Sequence, residues 1–377
     1  MKGAPRRRLT MTNETEMAPL VPAAATAEAA DATPARAEEH RSPGRRVQQF
    51  LHVYPTTIPF LVLLLGVIGF AFIAGGRFFH PLNLSLILQQ VTIIAMVGIA
   101  QTLVILTAGI DLSVGAMMVL SSVVMGRLAV LSGVPVPLAF AAGILTGTAC
   151  GFANGLVVTR LRLPPFIVTL GTWSVFGAVN LLYSKNQTLR YQEIAEVAPF
   201  LQATGRLFKI HDYLPLDFLG GAGVTTGSLL MIAFAFLTAY VLRRTAFGRH
   251  VYATGDDPES AQLVGIHVDR TLVAVYTLAG FLCSVAAWIL IGRIGAVSPN
   301  AGATANLDSI TAAVIGGTSL FGGRGSITGT LFGALIVGVF RNGLALAGLQ
   351  NTWQELTVGL LIIVAVALDQ WIRRLAT

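Results

Sequence analysis

The sequence predicts an all-α protein that crosses a membrane about ten times, with some crossings short or broken and both termini cytoplasmic. Three observations carry this reading. Of 377 residues, 54% are hydrophobic and only 11% charged, with a mean hydropathy of +0.72, which excludes an ordinary soluble domain. From residue 57 onward the apolar residues fall in runs close to the ~20 residues that span hydrocarbon. Arg and Lys are also shared unevenly between alternate loops.

Residues 1–50 stand apart. The stretch APLVPAAATAEAADATPARAEEHRSPG is rich in Ala, Pro and charge and has too few large apolar residues for a core. It also lacks the apolar run of about 7–15 residues that marks a signal peptide, so a disordered cytoplasmic tail is expected. The remainder, 51–377, is expected to be one transmembrane domain.

The expected spans are 57–76, 84–107, 112–131, 136–158, 165–184, 225–242, 271–291, 307–321, 327–347 and 352–371. Gln89, Gln90 and Gln101 weaken the second, and 307–321 is short for a crossing. With the N-terminus cytoplasmic, the inner side holds Arg41, Arg45, Arg46, Arg160, Arg162, Arg243, Arg244, Arg249, Arg270, Arg324, Arg373 and Arg374. The outer side holds only Arg77, Lys185, Arg190, Arg206, Lys209 and Arg293, so positive charge favours this orientation. The net charge of +7 is thereby explained by topology, without a nucleic-acid partner. Loop 243–270 becomes cytoplasmic and loop 185–224 extracytoplasmic. Cys150 and Cys283 both lie inside apolar runs, which argues against a disulfide framework or a metal site.

Within the cytoplasmic loop, TGDDPESAQLVGI spells out a short helix. Asp257 suits the N-cap and Pro258 the first helical position, Glu259 complements the positive helix end, and Gly265 suits a left-handed close. Such a helix is about seven residues long. Isolated helices under roughly 12 residues are marginal in water, so a partner is expected to hold it; a solvated, well-capped turn is the plainer alternative.

The segment RRTAFGRHVYATGDDPESAQLVGIHVDR, residues 243–270, resembles the cytoplasmic coupling loop of ABC-transporter permeases of the ribose-type sugar family. ILTAGIDLSVGAMM (105–118) and NLDSITAAVIGGTSLFGGRGSITGTLFGALIVG (306–338) are similar to two further stretches of that family. The resemblance covers roughly 55–375. It implies a homodimeric permease of the bacterial inner membrane, served by an ABC ATPase subunit inside and a periplasmic sugar-binding protein outside. The coupling role would fall on Asp257, Pro258, Glu259, Ser260, Ala261, Gln262 and Gly265. Other permease families write this loop with a Glu-Ala-Ala core, where this chain has Glu259-Ser260-Ala261.

A Walker A loop needs Lys after Gly. The only lysines are Lys2, Lys185 and Lys209, preceded by Met1, Ser184 and Phe208. The chain therefore carries no P-loop of its own, and the resemblance places ATP and Mg on the ATPase partner. No cofactor, catalytic residue or metal ligand is expected in this chain.

Four polar residues in the spans are candidates for a substrate pathway: Asp111, Asn306, Arg341 and Asn342. An intramembrane carboxylate is costly and functional by default. Asp111 also reads as the N-cap of the helix that follows, next to a break at Gly109, and broken helices often border transport pathways. Asn306 and Asp308 also read as caps. Arg341 is expected either to snorkel outward or, with Asn342, to hydrogen-bond sugar hydroxyls. Thr352 and Glu355 match a capping box, and Trp353 suits the interfacial aromatic belt. Gly143, Gly147, Gly151 and Gly155, four apart, read as a close-packing stripe. GRGSITG echoes GIDLSVG, a hint of internal repetition.

A neutral polyol fits a pathway with few fixed charges, and the resemblance leans towards fructose- or ribose-type members. Nucleoside and branched-chain amino-acid permeases share the wider fold and remain alternatives. An ion-coupled secondary transporter would need buried acids or His, of which the spans supply essentially Asp111. A membrane-embedded enzyme would need clustered catalytic groups, and the sequence has no HExxH and no GxSxG.

Overall fold

The computed structural model describes residues 57–209, 221–302 and 304–376. The tail expected over 1–50 and part of the loop expected over 185–224 lie outside them. The long helices are α1 (Thr57–Ala74), α2 (Pro81–Leu106), α3 (Val114–Val130), α4 (Val136–Arg160) and α5 (Pro165–Ser184). A short α6 (Tyr191–Val197), a 3-10 segment (Pro199–Gly205) and a two-stranded antiparallel pair, β1 (Leu207–Lys209) with β2 (Gly223–Thr225), follow. Then come α7 (Thr226–Arg244), α8 (Ala246–Asp256), α9 (Pro258–Leu263), α10 (Val268–Ile294), α11 (Ala305–Ile315), α12 (Ile327–Leu346) and α13 (Asn351–Ala376).

Each of the ten expected spans corresponds to a helix, and seven helices among the described residues are long and apolar enough to cross a membrane. Pro opens α2 and α5 at the first helical position, where its missing N–H costs nothing. Helices α3 and α11, with 17 and 11 residues, rise roughly 26 and 17 Å at 1.5 Å per residue. Both are short because they begin at a break in the chain. Lipid-type faces remain uncovered on the outer helices: Leu65, Phe72, Leu138, Leu182 and Phe236 are all more than 60% exposed.

The core is centred on α10, which packs against α4, α2 and α3. The glycine stripe of α4 makes this possible. A methyl at Gly151 would strike the Tyr276 carbonyl, and one at Gly147 would strike Gly280, so the two backbones touch directly. At one end of the bundle, Leu189 bridges Val297, and Gln202 donates to the carbonyls of Tyr191 and Gly295 at 3.0 Å. At the other end lie α8, α9 and the glycine-rich turn 316–326.

One local expectation fails. Helix α13 already begins at Asn351, because the N–H groups of Trp353 and Gln354 bond the carbonyl of Gln350. Thr352 therefore sits inside the first turn, and Thr352–Glu355 is not a capping box.

Candidate functional site

The first break lies between α2 and α3. Helix α2 ends in a Schellman motif: the Ala108 N–H bonds Ile105 O at 2.9 Å and the Gly109 N–H bonds Val104 O at 3.1 Å. Residue 108 is then left-handed, at φ +59°. Helices α9, α11 and α12 close with the same pair of bonds and put Gly265, Gly317 and Gly348 at that position. For an L side chain the left-handed state costs roughly 1–2 kcal/mol. Ala108 is exposed, so packing of its methyl does little to offset that cost.

Asp111 follows, fully buried. Its Oδ1 accepts from the Ser113 N–H at 2.7 Å and from the Ser113 hydroxyl at 2.6 Å. Residue 113, not 111, is the N-cap of α3, and its own side chain makes no capping bond. The cap reading is thus corrected: Asp111 closes a turn two residues ahead of the helix. Asn154 of α4 extends the network by donating to the Ser113 hydroxyl at 2.8 Å. Thr169 of α5 donates to Ile110 O at 2.9 Å. With its amide oriented to satisfy both atoms, Gln101 of α2 donates to Asp111 O at 3.0 Å and accepts from Asp111 N at 3.2 Å. The interrupted backbone is therefore satisfied by side chains, as non-helical chain within apolar surroundings must be.

Gln101 is five residues before the end of α2, so Asp111 has turned back by roughly 7 Å along that helix at 1.5 Å per residue. Here it meets the second irregular segment. The Asn306 amide donates to Leu112 O at 3.4 Å while its Oδ1 accepts from the Leu307 N–H at 2.9 Å. A methyl at Gly115 would sit against the Asn306 nitrogen and Gly302 O. The start of α3 and the start of α11 thus lie side by side.

Asp308 is neither a cap nor free. Its Oδ1 pairs with the Arg341 guanidinium of α12 at 2.6 Å, and its Oδ2 accepts from Thr304 at 3.1 Å. Arg341 is thus not a free snorkelling cation, because a buried carboxylate holds its guanidinium. Asn342 points elsewhere and donates to Asn83 Oδ1 at 2.9 Å, near the start of α2. The structure therefore gathers Asp111, Asn306 and Arg341 around the two helix starts and leaves Asn342 out.

Sequence reasoning missed Asn154 and Thr169, and it treated Gln101 as a flaw in a span. A polar side chain isolated in an apolar run was the available signal for all three.

The second element is cytoplasmic by expectation. Asp257 caps α9, its Oδ1 accepting from the N–H groups of Glu259 and Ser260 at 3.0 and 3.1 Å. The Ser260 hydroxyl donates to Asp257 Oδ2 at 2.5 Å, a bond the alanine of a Glu-Ala-Ala core could not make. The Ser260 hydroxyl and N–H hold the Asp257 carboxyl below its ordinary pKa. Gly265, at φ +89°, closes the helix. Only Ala261 of α9 is buried, whereas Leu263 and Val264 are 89% and 77% exposed. An apolar pair displayed on a short, doubly capped helix suits a docking contact.

Residues 83–366 match the family described as branched-chain amino acid transport system / permease component. The chain is 55% identical to the fructose import permease protein FrcC of Rhizobium meliloti over 332 residues, 88% of this chain and 90% of the relative. It is 38% identical to the ribose import permease protein RbsC of Bacillus subtilis over 312 residues, covering 83% and 92%. It is 31% identical to the xylose transport system permease protein XylH of Escherichia coli over 357 residues, covering 81% and 89%. No solved structure matches the chain. Permeases of this kind work with an ATPase and a binding protein and typically bind no cofactor. With seven membrane-length helices among the described residues, a family match over residues 83–366 and relatives matched over 81% or more of this chain, the chain belongs to this family of ABC-transporter permeases, as a multi-pass transport subunit of a bacterial importer rather than an enzyme.

Proposed function

We propose that this chain is the permease of a monosaccharide importer, with fructose as the first substrate to test and ribose the second. The observation that carries the substrate class is the 55% identity over 332 residues with a fructose import permease. The chain works as a homodimer with both termini in the cytoplasm, the orientation that the Arg and Lys distribution favours. Binding of ATP and Mg falls to the ATPase partner, since this chain has no Gly-Lys pair.

Helix α9 is the coupling helix. Leu263 and Val264 enter a cleft of the ATPase, and Asp257 with Gly265 fixes the helix that carries them. Closure of the ATPase then moves the cytoplasmic end of the bundle. The pathway runs past the paired starts of α3 and α11, where Asp111, Asn306 and Arg341 offer donors and acceptors to a neutral polyol. Asn342, bonded to Asn83, takes no part. Interrupted helices at a central site are a recurring transporter solution.

Uptake of labelled fructose and ribose into vesicles holding this chain, its ATPase and its binding protein tests the reading. Uptake that requires internal ATP and the binding protein is expected. Import driven by a proton or sodium gradient through this chain alone would overturn it. The description of the matching family makes a branched-chain amino acid the second reading, so labelled leucine belongs in the same assay.

A further inference from the structure

Three backbones converge without a side chain between them at the end of α2. The Leu106 carbonyl, the last of α2, accepts from the Gly323 N–H at 3.0 Å. Gly255, in the last turn of α8, lies against the same carbonyl, and a methyl there would overlap Leu106 O and the Gly323 nitrogen. Gly322 faces Gly255 O on one side and Ala108 on the other. Tyr252, three residues before Gly255 on α8, ties the turn down by donating its hydroxyl to Gly325 O at 2.9 Å. The cytoplasmic segment that leads into α9, which starts three residues beyond Gly255, is thus in direct backbone contact with the end of α2 and with the α11–α12 turn.

The same spot holds the one left-handed alanine in the series of four like helix closures. Strain at a sparsely populated φ persists when the surroundings favour it and clusters where a segment must switch. Glycine would adopt this conformation without cost, and Ala108, an exposed residue whose methyl lies beside Gly322, has little burial to offset it.

The geometry points to Ala108 and Gly255 as positioning residues of a transmission joint, resting on the coupling-helix reading of α9. Movement of α9 is carried by Gly255 onto Leu106 O. When Gly255 and Gly322 withdraw, Ala108 relaxes to the right-handed conformation its side chain prefers. Helix α2 then extends, pulling on the Ile110–Ser113 turn that holds Asp111. Neither residue touches substrate. They act by deciding whether the break is open or taken up into helix.

The experiment is the ratio of sugar imported to ATP hydrolysed, measured on the complete transporter in proteoliposomes. Ala108→Gly removes the preference for the right-handed state, so the break should stay as it is. Assembly and stimulation of hydrolysis by loaded binding protein should persist, while the ratio falls roughly five-fold or more, the lower end of ordinary coupling. Gly255→Ala should give the same phenotype by pushing α8 off Leu106. Tyr252→Phe, which adds no bulk, should give a smaller fall and decides the matter where Gly255→Ala does not assemble. A ratio within about two-fold of the unmodified transporter in assembled Ala108→Gly would overturn the joint. Loss of ATPase co-purification from the unmodified chain's α9 variants, or its persistence, bears on the coupling helix itself and is read separately.

Discussion

Helices α2 and α9 close with the same two hydrogen bonds, yet one ends in alanine and the other in glycine. Gly265 at the end of α9 has open space around it, and its φ of +89° is a conformation glycine adopts freely. That helix is closed at both ends by local chemistry, and at six residues it is short enough to need a partner to hold it, which suits a docking element. Ala108 at the end of α2 occupies the same kind of position at φ +59° against its own preference. That end depends on neighbours 147 and more residues away in sequence, since Gly255 and Gly322 are the groups facing it. Identical bonding thus serves a fixed part in one place and a movable one in the other.

The comparison is broken most completely by removing α9. Replacing Asp257–Gly265 with a Gly/Ser linker of equal length should abolish co-purification of the ATPase while leaving membrane insertion intact. Undiminished co-purification would end the coupling-helix assignment.

The next largest effect is on the other side. Asp111→Ala removes the acceptor of two buried Ser113 bonds and should cost about 2–3 kcal/mol, read as a lower unfolding temperature in detergent. Asp111→Asn keeps an oxygen for both bonds and should assemble normally. Complete loss of uptake in an assembled Asp111→Asn transporter would assign the carboxylate to the pathway, whereas retained uptake would leave it a structural group.

Exchanging the two closing residues sharpens the contrast. Gly265→Ala should destabilise by about 1 kcal/mol, because alanine is strained at positive φ. Ala108→Gly should stabilise by about 0.5–1 kcal/mol through relief of the same strain. Opposite shifts in thermal stability of the purified chain are expected; shifts of the same sign would contradict the account of Ala108.

The smallest effect is that of pH on the α9 cap. The folded Asp257 carboxyl lies below its ordinary value, so its contribution is complete above the unfolded pKa of about 4 and is lost only as pH falls through the lowered folded value. Retention of the ATPase should therefore be unchanged from about pH 8 to 5 in so far as it depends on this cap. A fall near neutrality that Asp257→Asn removes would contradict that sign.

What could be read from the sequence divides along the same line. Asp257, Pro258 and Gly265 act within one short helix, so their roles follow from residue type and spacing alone. The existence of ten helical runs is equally local, since each depends on its own apolar length. The site is different. Ser113 meets Asn154 across 41 positions, Asp308 meets Arg341 across 33, and Leu112 meets Asn306 across 194. No single-segment rule contains those distances, and so Arg341 read as a snorkelling cation and Asp308 as a cap. Gln101 read as a weakness of its span because a polar side chain in an apolar run has no visible partner until the chain folds back beside it.

The glycine seam between α4 and α10 limits how this molecule can move. Where two helices meet through side chains, rotamer changes let them slide and re-seat. Gly147, Gly151 and Gly280 leave nothing to rearrange, and displacement along the seam would drive backbone into backbone. The pair is therefore expected to behave as a keel, with α4 and α10 moving as one unit while the remaining helices shift about them. A cross-link placed across the seam should be silent in transport, while one between α2 and α11 should arrest it.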